Sequence, residues 1–281
     1  MRARAIRDLS QLTGSAFFAE VAVGLGLTVQ NARRLHASAD VLAQAGRSHG
    51  ARVLHALSEE EAAKYLILLD AVRCPRQPPA RFASQLARFN DHLAKGLYAR
   101  ACWMRSATLG QLQGYLDLYR QDFYLDGPND IDWIYSNEIL RRREEALYVD
   151  YTASDEGHAW IDPRPYDDAA IGTFSSMEPG SLQIAGALYD VGISSSEAVA
   201  VIAEFWRPIA MSREMHWGER RQLNHQTLER LESQGRLQDR LPSEYQRIVD
   251  DWPFPLYDVD MSLMKVDIEW LRDRQRSWTP D

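Results

Sequence analysis

Ser58-Glu-Glu-Glu-Ala-Ala-Lys-Tyr-Leu-Ile-Leu-Leu69 decides the fold. Its last five residues, Tyr65 to Leu69, are apolar without interruption, and such a run reads as a helix buried on most sides. The pattern extends the helix over about residues 50–73, and Pro75, Pro78 and Pro79 close it, since proline lacks the backbone donor a helix needs. Upstream, Val29, Ala32, Leu35, Ala39 and Leu42 recur at helical spacing between Thr28 and Ala45, with Gly46 as the stop. Downstream, a third helix is expected from about Arg81 toward Met104, with Gly96 as a point of interruption. A fourth opens with the Thr108/Gln111 capping pair and runs through Tyr119 to Tyr124. A fifth covers about Ile131 to Ala146, after the turn Asp126-Gly-Pro-Asn-Asp130.

Tyr148-Val-Asp-Tyr151 alternates weakly, as a short extended segment does. From Thr152 to Gly180 the chain is rich in Asp, Gly, Ser and Pro, and the internal boundary is placed there. Helices resume at Leu182–Val191, Ser195–Trp206 and Gly218–Gln234, then in a short one opened by Ser243, then at Met261–Arg274. The class is therefore all-α: a helical bundle over residues 1–165, followed by a second helical region over 166–281.

Of the 281 residues, 45% are hydrophobic and 26% charged, the balance of a folded globular chain rather than a disordered one. No apolar run approaches the eighteen residues or so that a membrane span needs. The start has charge but no apolar stretch behind it, so a cytoplasmic protein is expected. Cys74 and Cys102 stand far apart and read as reduced core residues. The net charge of −8 is unevenly spread: residues 1–150 carry 19 Lys/Arg against 17 Asp/Glu, and the remainder 13 against 23. The first half permits a local basic face; the acidic second half suits a protein partner, in a sensing or regulatory role, better than nucleic acid.

Several chemistries are excluded by pattern. Gly24-Leu-Gly26 lacks the third glycine and preceding strand of a dinucleotide site, and no Gly-x-Ser-x-Gly elbow occurs. The histidines, His36, His49, His55, His92, His158, His216 and His225, form no i, i+4 pair and have no Cys-x-x-Cys partner. Asp126, Asp130 and Asp132 miss calcium-loop spacing. Neither metal nor cofactor is expected.

The polar residues of Leu57–Arg100 carry the remaining signal. Glu60 and Lys64, spaced i, i+4, share one face of an apolar helix, while Ser58 and Glu61 have the spacing of a capping box. Arg81, Arg88, His92 and Lys95 fall at steps of seven, four and three, a single stripe if the third helix is continuous. A histidine moves protons near neutral pH, and Arg or Lys stabilises phosphate charge, so the stripe suits a phosphodiester; a solvated charged face is the competing explanation.

At these residues the chain resembles the AbiV abortive phage-resistance proteins of the HEPN superfamily. Asn31-Ala32, Ala37-Ser-Ala-Asp-Val-Leu42, Ser58-Glu-Glu-Glu-Ala-Ala-Lys64, Phe89-Asn-Asp-His-Leu-Ala-Lys95 and Leu147-Tyr-Val-Asp-Tyr151 carry the likeness, which spans roughly residues 20–165. The resemblance implies an antiparallel helical bundle, a homodimer, and a metal-independent ribonuclease or RNA binder that halts translation in infected cells. It implies His92 as general acid/base, Arg88 or Lys95 as phosphate contact, and Glu60 with Lys64 as polar support. The superfamily separates its Arg and His by four to six residues, whereas Arg88 and His92 enclose three. The literal spacing occurs at Arg220-Arg-Gln-Leu-Asn-His225, so Arg220 and His225 form an alternative catalytic pair, although i and i+5 diverge by about 140° on a helix.

Arg81, Arg120, Asn137 and Arg141 are further candidate RNA contacts. The alternative to RNA chemistry is a non-enzymatic helical protein that binds a phage or host protein. The discriminator is His92: open to a cationic cleft it favours RNA, packed under the C-terminal half it favours the binding protein. The aromatic stretches Trp206-Arg-Pro208 and Trp252-Pro-Phe-Pro-Leu-Tyr257 read as packing against the helical core.

Overall fold

The computed structural model describes residues 5–125, 133–154, 157–163, 178–238 and 242–277. The turn expected at Asp126–Asp130 and the boundary at 165/166 lie outside the described residues. The described residues are mainly helical, as the periodicity predicts. Helix α1 (Gly14–Gln44) starts well before Thr28 because Phe17, Val21 and Leu25 continue its buried stripe, and it ends at Gly46, whose φ of +70° suits glycine. After a short turn, α2 (Ser48–Arg73) runs back along it. Ser58 is no cap: apolar residues continue the helix on both sides, and its buried hydroxyl donates to the Ala32 carbonyl of α1 at 2.8 Å.

The expected third helix is two. Helix α3 (Pro79–Ala87) passes into a 3₁₀ turn (Arg88–Asn90), Asp91 is extended, and α4 (His92–Ala101) begins. The Asp91 carboxylate accepts from the Ala94 backbone at 3.1 Å, satisfying one of the orphan donors at the new helix start. Gly96 does not interrupt α4. Helices α5 (Leu109–Tyr119) and α6 (Glu138–Leu147) follow, capped by Thr108 and Asn137. Two small antiparallel hairpins flank α6, β1 (Tyr124–Leu125) with β2 (Trp133–Ile134), and β3 (Asp150–Ser154) with β4 (Gly157–Ile161). The second lies partly in the stretch that sequence pattern leaves without structure.

The remaining helices are α7 (Gly180–Asp190), α8 (Ser196–Trp206), α9 (Trp217–Ser233), α10 (Pro242–Asp251) and α11 (Ile268–Ser277). Helix α11 starts later than predicted because residues 252–264 form an irregular strap laid on the N-terminal helices. One cluster of buried apolar side chains runs from Phe17 to Met261, and α7 and α8 pack directly on α1 and α2. The aromatic stretches pack inward as expected, with Trp206 and Trp252 buried at 5.8 Å between ring centroids.

A buried polar network fixes the strap. Asp70 of α2 accepts from Arg73 Nε at 2.9 Å, from the Tyr98 hydroxyl of α4 at 2.8 Å and from the Leu256 backbone at 2.8 Å. The Arg73 guanidinium also lies 5.0 Å from the Trp206 ring centroid and 4.5 Å from that of Trp252. Removing one partner of a buried pair leaves the other charge uncompensated, so Asp70→Ala should lower the unfolding free energy by about 3–5 kcal/mol. Urea denaturation followed by tryptophan fluorescence measures this.

Candidate functional site

Helices α2, α4 and α6 bring four charged side chains together. Glu60 of α2 is the centre: Lys95 bonds its Oε2, the His92 Nδ1 lies 3.0 Å from Oε2 and 3.2 Å from Oε1, and Arg143 Nε lies 3.2 Å from Oε1. Lys95 Nζ is itself 3.1 Å from His92 Nδ1. His92 and Lys95 converge because they are spaced i, i+3 in the first turn of α4. Arg143 arrives because α6 packs closely on α4 at Gly96, where a Cβ would stand 2.2 Å from Ile139 Cγ2.

The four differ in accessibility. The His92 side chain is 39% exposed, whereas that of Lys95 is only 5% exposed and lies behind Glu60. Burial pushes the Glu60 carboxyl up, but the hydrogen bond and charge of Lys95, then the charges of His92 and Arg143, outweigh it and leave the group below the usual carboxylate range. Neighbouring Glu59 moves the other way: burial raises its carboxyl, and Arg100 and Trp103 only partly counter this.

The cluster gives His92 two useful states. With Nδ1–H donating to Glu60, Nε2 carries a lone pair and is a base. With Lys95 donating to Nδ1, Nε2 carries the proton and is a hydrogen-bond donor to an approaching oxygen. Beside the cluster, Glu138 of α6 pairs with Arg142 at 2.8 Å and with Arg100 at 3.6 Å, so three arginines, Arg100, Arg142 and Arg143, surround it. The arginine run 141–143, of which sequence analysis singled out only Arg141, thus supplies Arg143 to the cluster.

The other expected site residues are placed elsewhere. Lys64 pairs with Glu61 and stands 5.2 Å from the Phe89 ring centroid, one turn from Glu60 but outside its bonds. The break at Asp91 splits the cationic stripe. Arg88 is buried and donates to the Leu256 carbonyl and Gln85 Oε1, each at 2.8 Å, as well as to the Tyr257 carbonyl at 3.5 Å. Arg81 pairs with Asp258 at 2.8 Å. Arg120 is buried against Asp117, Asp260 and the Ser262 carbonyl. All three therefore seat the strap, Arg88 and Arg120 with their guanidinium groups buried and Arg81 from the surface. Asn137 caps α6 and donates to the Tyr119 and Gln121 carbonyls at 2.9 and 2.7 Å, while Arg141 pairs with Glu145 and lies over the Tyr124 ring.

Arg220 and His225 do not meet. Arg220 lines a cavity of about 650 Å³ with Arg105, Arg221, Asp250 and Asp251. It donates to the Trp252 carbonyl at 3.1 Å, and burial lowers its pKa to about 10. His225 pairs with Glu229 at 3.4 Å and sets its ring edge on Tyr245.

The described residues form a mainly helical fold in which His92, Lys95 and Arg143 gather on one carboxylate. The AbiV family model matches residues 20–174, more than half of the chain, and the protein belongs to that family. No curated protein and no solved structure matches it. No described helix is long and apolar enough to cross a membrane.

Two outcomes follow for the site. Glu60 ionised stabilises the fold above the ordinary carboxylate range, and this contribution is lost as pH falls through its lowered value. Glu59 has the opposite sign: its ionisation costs stability as pH rises from the ordinary range through its raised value. Glu60→Gln should therefore destabilise at pH 7, by about 1.5–3 kcal/mol for bonds to a charged group. Glu59→Gln should stabilise at pH 7, with the gain vanishing near pH 4; thermal melts across pH read both. At Gly96, adding a methyl group costs about 1–3 kcal/mol by overpacking against Ile139. In an Ile139→Ala background the same Gly96→Ala change should reverse sign and stabilise, because only helix propensity, worth about 1 kcal/mol, remains.

Proposed function

We propose that the protein is an abortive-infection effector that acts on RNA, with the α2–α4–α6 cluster as a metal-independent endoribonuclease site. Family membership supports the antiviral setting. The observation that carries the chemistry is His92: its partners all come from α2 and α4, it is open to solvent, and a carboxylate and an ammonium both reach Nδ1.

In this reading His92 Nε2 takes the proton of an RNA 2′-OH as that oxygen attacks the adjacent phosphorus. The P–O5′ bond breaks, leaving a 2′,3′-cyclic phosphate, and the departing O5′ takes a proton from water. Arg143, helped by Arg100 and Arg142, balances the phosphate charge. Lys95 and Glu60 are positioning residues: they fix the imidazole and choose its tautomer. A homodimer would join two such clusters in one cleft. The acidic C-terminal half is assigned a sensing role, and because it shares the core, point changes rather than truncation test it.

Purified protein incubated with RNA in the presence of a chelator should cleave it, and His92→Ala should reduce the rate by about 10²–10⁴-fold, the usual contribution of a general acid/base. His225→Ala should leave the rate unchanged. Cleavage that survives His92→Ala but is lost in His225→Ala would move the site to α9.

A second reading, capture of a phage or host protein without chemistry, is favoured by one observation. Tyr148, Val149, Tyr151 and Trp160 are all exposed on or beside the β3–β4 hairpin, and Tyr148 and Val149 line a groove of mixed character with Tyr135, Leu263 and Ile268 on one hand and Arg141, Glu144 and Glu145 on the other. Growth arrest that persists in His92→Ala and is abolished by Trp160→Ser would select it.

A further inference from the structure

The α1–α2 hairpin brings together three metal-ligating side chains. His36 and Asp40 lie one turn apart on α1, and His55 faces them from α2. The His36 and His55 Nδ1 atoms are 3.2 Å apart. His36 Nε2 lies 3.7 Å from Asp40 Oδ2 and His55 Nε2 lies 3.8 Å from Asp40 Oδ1. One donor atom from each residue can be chosen so that all three lie within 4.8 Å of one another. The close contacts use both nitrogens of each ring, whereas an ion takes one from each; a tetrahedral ion with bonds of about 2.0–2.1 Å holds its donors roughly 3.4 Å apart, so donors up to 4.8 Å apart close on it by side-chain shifts of about an ångström.

Proton counting explains why the arrangement suits a cation. A neutral imidazole carries one N–H. Whichever ring donates in the Nδ1 pair, its own Nε2 then presents a lone pair near an Asp40 oxygen, which is also an acceptor. A cation resolves that opposition, either as a second ring proton, which makes an ion pair with Asp40, or as a divalent ion, which is ligated by both. Both histidine side chains are mostly buried, at 15% and 14% exposure, while Asp40 at 36% leaves a route from solvent.

We propose that His36, His55 and Asp40 bind a divalent first-row transition metal of the zinc class, clipping α1 to α2 near their connecting turn. Two imidazoles and one carboxylate match zinc's preference for nitrogen and oxygen donors, and leave a fourth position for water. The site is on different side chains from the Glu60 cluster and does not depend on how that cluster works.

Full-length protein, freed of metal by chelator and dialysed, is titrated with ZnCl₂ by calorimetry and with Co²⁺ by visible absorption. One tight site per chain is expected, with cobalt bands of a four- or five-coordinate ion and a zinc-dependent rise in melting temperature. His55→Gln and Asp40→Asn should each weaken binding by a hundredfold or more, while His158→Gln, on the exposed hairpin, should not. If His55→Gln fails to fold, Asp40→Asn, at the solvent edge, still reports. Absence of zinc and cobalt binding by folded wild type, or binding undiminished in Asp40→Asn, would overturn the proposal. RNA cleavage is not a readout here, so failure of this site and failure of the ribonuclease reading are distinguishable.

Discussion

The carboxylate of Asp70 is the constraint on which the other packing rests. At 1% exposure it cannot be solvated, so it must be met by donors, and these come from three separate parts of the chain: Arg73 on its own helix, Tyr98 on α4, and the backbone of Leu256 in the strap. The network continues outward, with Gln85 bonding Tyr98 at 2.9 Å and Arg88 bonding Gln85. A shift of α2 by one residue would turn Asp70 by about 100° and break its bonds to Tyr98 and Leu256 together. Few apolar contacts could fix register so sharply. Glu60 lies ten residues earlier on the same helix, about 15 Å away. Helix α4 is thus held to α2 at two points, Tyr98 on Asp70 and His92/Lys95 on Glu60, and the geometry of the polar cluster inherits the register that Asp70 sets.

The helices were legible because their signals are local: the apolar run at Tyr65–Leu69, the prolines after it, the caps at Thr108 and Gly46. The break between α3 and α4 was not, although its signal was present. Arg81, Arg88, His92 and Lys95 satisfy a helical period, and that regularity hides an Asn-Asp pair whose second member prefers to cap a new helix. The arginines were misread for a different reason. An arginine needs acceptors, and a sequence does not say whether these are phosphates or carbonyls. The carbonyls that take Arg88 and Arg120 lie in the strap, more than 140 residues away. An irregular segment rich in proline leaves its own carbonyls unpaired, so buried guanidinium groups there are a structural necessity.

Of the polar cluster, Glu60, His92 and Lys95 could be found because polar residues on strongly apolar helices need a reason to be there. Arg143 could not: three arginines beside Glu144 and Glu145 look like any solvated helix face. His36 and His55 were hidden by distance in sequence, being neither i, i+3 nor i, i+4. Yet they stand almost equally far from the turn at Ala45–Arg47, as do Ala32 and Ser58, which are hydrogen-bonded across the same hairpin. Once two helices are assigned as a tight hairpin, residues equidistant from its turn are opposite each other. That symmetry is the signal a spacing search along one helix leaves out.

For the proposed chemistry, the cluster around Glu60 must be both stable and reactive. One carboxylate is shared by Lys95, His92 and Arg143, so no cation is fully neutralised by it. Lys95 is nearly enclosed and has no route to a substrate; its charge serves to keep Glu60 ionised and in place. His92 and Arg143 are the more exposed members, and each keeps part of its surface toward solvent. A phosphodiester approaching from that side, as the proposed chemistry requires, meets two groups whose existing partner is already divided. It can recruit them without leaving a buried charge uncompensated, because Lys95 stays with Glu60. An isolated Glu60–His92 pair would have to break for the same event, exposing a buried carboxylate to the substrate's own negative charge. In the proposed reaction it is the buried lysine that would let the outer pair change partners.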